Sequence, residues 1–141
     1  MFSSENIANF LEDSHIISNF NIILTDLNNI IFSAPKYCSK NYINKKISYD
    51  LKKYIYSINC SNYQDSILLI NDSNNTKPIY HSDTQKYYSQ IILPILCENN
   101  VYGVLIFYSY NNYFNSDDLK FAKTTKYFVE KFIIKLKSNN N

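Results

Sequence analysis

The chain reads as an α+β domain, an antiparallel sheet of about five to six strands with an amphipathic helix at each end of the sequence. Three observations predict this class. Residues 88–110 form two runs of Ile, Leu, Val and aromatics, broken only by Glu98-Asn99-Asn100, as a β-hairpin would be. Both faces of that hairpin are apolar, whereas a sheet with one solvated face alternates apolar and polar residues, so cover is expected on both sides. Residues 3–18 and 116–137 each carry apolar side chains at helical spacing, which supplies cover.

The elements follow in order. In 3–18 the stripe is Ile7, Phe10, Leu11 and Ile17, with Ser3 or Ser4 as N-cap and Glu5 in the first turn. Residues 20–34 read as strand, Asx-type turn at 27–29, strand, and Pro35 ends the second strand. Residues 36–47 are polar and rich in Tyr, and read as a loop or a short irregular helix. Ser48 then caps a helix over 48–59 with Leu51, Tyr54, Ile55 and Ile58 facing inward. A short strand over 67–70 and a surface turn over 71–78 precede a brief edge segment at 79–81. In the central hairpin, Asn99-Asn100 is read as a two-residue primed turn, because Asn tolerates positive φ. Pairing outward puts Ile92, Pro94, Leu105 and Phe107 on one face, and Ile91, Leu93, Ile95, Val104, Ile106 and Tyr108 on the other. Ser116 caps the last helix, and Asp117 and Asp118 place negative charge where the helix dipole favours it. Its stripe is Leu119, Ala122, Val129, Ile133 and Leu136, widened by Phe121, Phe128 and Phe132.

Composition excludes several function classes. At 141 residues the chain fits one domain, and its net charge of +2 implies no electrostatic partner. All the basic residues are Lys; without Arg there is no bidentate fork for guanine or phosphate, which argues against direct nucleic-acid contact. A single Gly excludes a glycine-rich phosphate loop, and Gly103 inside a strand marks a close backbone approach instead. Cys38, Cys60 and Cys97 lie far apart with no CxxC, as in a reduced cytoplasmic protein. No signal peptide or membrane-spanning run is visible. His15 and His81 stand alone, without ligand spacing, so no metal is expected.

The order of elements resembles a GAF domain, and more closely the C-terminal GAF domain of the stage V sporulation protein T family, over nearly the whole chain. The residues that carry this are Ile22-Ile23-Leu24-Thr25-Asp26 with Asn29-Ile30-Ile31, then Tyr42-Ile43-Asn44-Lys45 with Ile47-Ser48 entering a helix. Ile92-Leu93-Pro94-Ile95 and Gly103-Val104-Leu105-Ile106-Phe107-Tyr108-Ser109 complete the match. The resemblance implies terminal helices packed on one sheet face, a helix-and-loop layer on the other, and a dimeric regulatory domain that binds a small effector. Family members carry an N-terminal DNA-binding domain, whereas this chain starts at the helix before the sheet, as an excised domain or a stand-alone sensor would.

No catalytic residue is expected. The three-cysteine GAF reductases carry their thiols in glycine- and histidine-rich loops that do not occur here, and no Cys–His pair for a bilin is present. Asn44-Lys45 is followed by Lys46-Ile47-Ser48, wrong in charge for the cyclic-nucleotide signature. What remains is a pocket of apolar walls with a few polar groups: Tyr37, Tyr54, Leu69, Tyr80, Gln90, Ile92, Phe107 and Ser109 are expected to line it. No cofactor is specified. A homodimer is expected through the terminal helices, using Ile7, Phe10, Leu11, Val129, Phe132, Ile133 and Leu136. Two alternatives stay open: a ligand-free dimerisation module, and a small thiol enzyme using Cys97 or Cys38.

Overall fold

A computed structural model describes residues 4–34, 45–58, 60–71 and 89–139. The described elements are α1 (Ser4–Ser18), β1 (Asn21–Thr25), β2 (Ile30–Ala34), α2 (Tyr49–Ser57), a 3-10 segment (Cys60–Ser66), β3 (Leu68–Ile70), β4 (Ser89–Cys97), β5 (Asn100–Ser109) and α3 (Ser116–Asn139). The strands form one five-stranded antiparallel sheet in the order β2-β1-β5-β4-β3. The edge segment anticipated at 79–81 lies outside the described residues.

Local chemistry sets most boundaries. At the end of α1, Asn19 takes the left-handed conformation at φ 63°, and its N–H closes onto the His15 carbonyl at 2.7 Å. Between β1 and β2, Asp26 Oδ1 accepts from Asn28 N and Asn29 N at 2.8 and 2.7 Å, the expected Asx turn. Ser48 Oγ accepts from Leu51 N at 3.1 Å and so caps α2. The cap of α3 is Asn115, not Ser116. Asn115 Oδ1 accepts from Asp118 N at 2.9 Å, and Asp118 Oδ2 accepts from Asn115 N at 2.8 Å, a reciprocal box one residue earlier than expected.

The central hairpin turns at Glu98-Asn99, with φ of 52° and 66°, one residue before the expected Asn99-Asn100. Cys97 then pairs with Asn100 and Leu96 with Val101, whereas Ile95 pairs with Gly103. Tyr102 is therefore a bulge, opposite no residue of β4. Beyond it the register is Leu93 with Leu105, Ile92 with Ile106 and Ile91 with Phe107. A one-residue slip moves every side chain to the other face. The expected grouping of Ile92 and Pro94 with Leu105 and Phe107 is thus corrected: Ile92 and Phe107 lie on opposite faces.

Two cores result. One lies under α1 and α3 and contains Ile7, Leu11, Ile22, Leu24, Ile91, Leu93, Ile95, Leu105, Phe107, Ala122, Val129 and Ile133. The other lies under α2 and contains Ile23, Ile30, Ile47, Leu51, Tyr54, Ile55, Ile92, Val104, Ile106 and Tyr108. Burying each Ile or Leu side chain here contributes about 1.5–3 kcal/mol, which explains why β4 and β5 are apolar on both faces. A Cβ at Gly103 would stand 1.8 Å from the Thr25 carbonyl oxygen, so only Gly lets β1 approach the bulged β5.

Candidate effector face and the helix latch

On the α2 side the sheet presents two cross-strand rows. One runs Ser33, Ile23, Ile106, Ile92, Leu68; the next runs Asn21, Tyr108, Gln90, Ile70. Gln90 is fully buried, yet among the described residues neither its carboxamide oxygen nor its nitrogen has a hydrogen-bond partner. A buried carboxamide normally finds partners, because leaving one polar atom unpaired costs about 1–3 kcal/mol. Its neighbours on that face, Tyr108 and Ile92, are also fully buried. Tyr54 reaches the face from α2, and its hydroxyl donates to the Ser66 carbonyl at 2.6 Å. Burial holds the Tyr54 phenol well above the usual tyrosine range.

Of the expected pocket residues, Tyr54, Gln90 and Ile92 are brought together on this face. Leu69, Phe107 and Ser109 are not. Leu69 pairs with Ile91 and points to the other side of the sheet, half exposed; Leu68 and Ile70 face α2 instead. Phe107 packs edge-on against Phe20 and Phe121 in the terminal-helix core, with ring centroids at 6.4 and 6.3 Å. Ser109 is used by the backbone, its Oγ accepting from Asn112 N at 3.1 Å where the chain leaves β5. Tyr37 and Tyr80 lie outside the described residues.

The residues expected to mediate a dimer are redistributed as well. Ile7, Leu11, Val129 and Ile133 are buried inside the protomer against the sheet, because sheet contacts consume that stripe. Phe10, Phe132 and Leu136 are partly buried at its margin. The outward margin carries Phe128, 45% exposed, with Phe10 centred 5.8 Å from Phe128 and 5.3 Å from Phe132. A groove of about 310 Å³ runs along α3 there, lined by Tyr127, Phe128, Lys131, Phe132 and Lys135.

A polar latch that the sequence reading missed joins the two sides at the β3 edge of the sheet. β3 stops pairing at Ile92, and among the described residues no strand pairs with this side of the next part of β4. Pro94 has no N–H to lose there. Two residues on, Leu96 N donates to Glu130 Oε2 at 2.7 Å. The same oxygen pairs with Lys126 Nζ at 2.5 Å, and Lys126 is 4% exposed. The Lys126 ammonium also sits 4.3 Å from the centroid of the Tyr63 ring in the 3-10 segment. Clefts of about 90 and 220 Å³ flank this pair. The i,i+4 spacing of Lys126 and Glu130 was the signal available, though such pairs are ordinarily solvated.

Other chemistry is sparse. Cys97 is buried in the terminal-helix core, Cys60 is half buried, and Cys38 lies outside the described residues. His15 Nδ1 lies 2.7 Å from the Phe20 carbonyl, a contact that fixes the α1–β1 corner, and His81 lies outside the described residues. Among the described residues no group of His, Cys, Asp and Glu is placed to hold a metal ion. No helix among them is long and apolar enough to cross a membrane.

No curated protein sequence matches the chain. Solved structures do, as GAF domains. The cofactor-binding GAF domain of the nutrient sensor CodY from Clostridium difficile superposes with a TM-score of 0.60 at 19% identity, over 92% of this chain and 83% of that one. The GAF domain of a two-component sensor histidine kinase from Bacillus halodurans gives 0.66 at 18% identity, over all of both chains. That of the Acinetobacter phosphoenolpyruvate-protein phosphotransferase gives 0.68 at 15%, over 97% and 85%. At these identities the likeness is one of fold: the chain has the GAF fold. The sequence profile described as stage V sporulation protein T C-terminal, transcription factor, matches residues 4–133. With nearly every described element inside that match, the chain belongs to the stage V sporulation protein T C-terminal family.

Proposed function

We propose that the chain is the small-molecule-sensing and dimerisation domain of a sporulation-type transcriptional regulator, acting in the cytoplasm and without catalysis of its own. The observation that carries this is Gln90, a fully buried carboxamide with both polar atoms unpartnered among the described residues, on a largely apolar sheet face. Membership in a transcription-factor family supports a regulatory role, and one solved relative of this fold is described as a cofactor-binding domain of a nutrient sensor. The burial of Cys97 among apolar side chains weighs against the thiol-enzyme reading.

The dimer moves outward from the buried stripe to the aromatic margin of α1 and α3, where Phe10, Phe128 and Phe132 lie beside the α3 groove. A second copy of the chain is the proposed occupant. An effector shifts that pairing only by the difference in its affinity for the two helix arrangements. The test is a native mass spectrum of protein purified from its own host, read against the denatured mass. A stoichiometric extra mass supports the sensor reading. Apo dimer alone, with no retained mass and none recovered after incubation with host metabolite extract, favours the ligand-free dimerisation module.

A further inference from the structure

The chemistry of the proposed effector is written in the groups that face it. Gln90 offers one acceptor atom and two donors in one plane, all buried and without a partner among the described residues. The partner that satisfies a carboxamide at both ends presents a donor beside an acceptor in that same plane. Asn and Gln read the adenine edge in this bidentate way, and two amides pair edge to edge in the same pattern. Charge narrows the class further. The chain contains no Arg, and among the described residues the one buried charged side chain is Lys126, which lies on the opposite side of the sheet and is already paired with Glu130. A carboxylate or phosphate placed beside Gln90 would be desolvated without a counter-charge from the described residues, which is strongly unfavourable. The side chains nearest to it on the face, Ile92, Ile106, Tyr108 and Ile70, are aliphatic or aromatic.

We propose that the effector is a neutral molecule with an amide-type edge, one acceptor beside one donor, which docks that edge on the Gln90 carboxamide and its apolar remainder on Ile92, Ile106 and Tyr108. This rests on the reading of the α2 face as the effector site. Ser89 is also buried, its hydroxyl unpartnered among the described residues, but strand alternation puts it on the opposite face, so it plays no part. The amide edge has two natural sources, a nucleobase or a carboxamide or lactam, and matched ligands separate them.

The experiment titrates the full chain, by calorimetry and thermal midpoint, with adenine and hypoxanthine as nucleobases and with two amide–acid pairs, nicotinamide against nicotinate and isovaleramide against isovalerate. At least one neutral amide-edged compound is expected to bind, at least tenfold tighter than its acid counterpart where it has one. Gln90→Leu should weaken that binding at least tenfold while leaving the apo protein no less stable, since the native carboxamide makes no bond to a described residue. Gln90→Met, unbranched and of similar length, serves if the Leu variant does not fold. Acids binding as tightly as amides would overturn the proposed class and leave the sensor reading intact. Binding indifferent to Gln90→Met would overturn it too. If no amide-edged compound binds, the class is wrong; a mass retained in the native spectrum then shows that the sensor reading survives, and its absence that both fail. Only an ordered water bridging Gln90 in a crystal of host-purified protein would also refute it.

Discussion

Replacing Glu130 is the sharpest probe of how the last helix is tied to the sheet. In the native chain one carboxylate oxygen serves two groups, Lys126 Nζ and the Leu96 N–H of β4. Glu130→Ala leaves a lysine that is 4% exposed without its counter-charge and orphans a strand donor. Breaking a buried pair by removing one partner costs about 3–5 kcal/mol. The Glu130 side chain is itself 17% exposed, so water recovers part of that, and we expect a loss of about 2–4 kcal/mol. Glu130→Gln keeps an acceptor for Leu96 and should cost about half as much. In the double variant with Lys126→Met the unpaired charge disappears, so the two losses should fail to add by roughly 1–3 kcal/mol. Urea unfolding followed by circular dichroism measures all four corners, with an unchanged denaturant slope as the control for two-state behaviour. A Glu130→Ala loss below about 0.5 kcal/mol, additive with Lys126→Met, would show that this is a solvated surface pair and that the reasoning is wrong.

Three further outcomes follow from the same packing. Phe128→Asp, at a half-exposed position, should leave the protomer folded and shift sedimentation from dimer to monomer, whereas Ile133→Asp at a 2% exposed core position should unfold it, by more than the roughly 2–5 kcal/mol of a large-to-small core change; dimer retained in Phe128→Asp refutes the relocated interface. Gly103→Ala must push β1 off the bulge, since its Cβ would meet the Thr25 carbonyl oxygen, and should cost about 3 kcal/mol or more by thermal denaturation. Burial raises the Tyr54 phenol in the folded state, so above the free tyrosine value of about 10 the unfolded chain ionises first and holds fewer protons. Stability should therefore fall by up to roughly 1.4 kcal/mol per pH unit from about pH 10 upward on its account, and Tyr54→Phe should flatten that slope while costing about 1 kcal/mol at neutral pH through the lost bond to Ser66.

The fold was largely legible because the signals that specify it are local or periodic. The uninterrupted apolar runs of β4 and β5 announced two covered faces, and Ser48 and Leu27-Asn28-Asn29 marked a cap and a turn that the structure places as expected. What escaped was register. Glu98-Asn99-Asn100 offers two adjacent two-residue turns, and the choice between them is not made by turn chemistry alone. Glu takes positive φ at a cost, which the packing of both apolar faces and the bulge at Tyr102 override. That single step sent Phe107 and Ser109 to the face opposite Gln90 and Ile92, whereas Leu69 lies there because it pairs with Ile91. The terminal-helix stripe was ambiguous for a related reason: an amphipathic helix shows which side is apolar, not whether a sheet or a second protomer covers it. The Lys126–Glu130 latch was invisible because an i,i+4 ion pair looks the same on a helix whether water or a strand edge lies beyond it.

The most direct measurement is a crystal structure of the protein purified from its host, inspected at Gln90. We expect density that is neither protein nor water within hydrogen-bond distance of both the carboxamide oxygen and nitrogen, with its apolar part against Ile92 and Tyr108. A Gln90 contacted by protein atoms alone would contradict the assignment of this face to an effector.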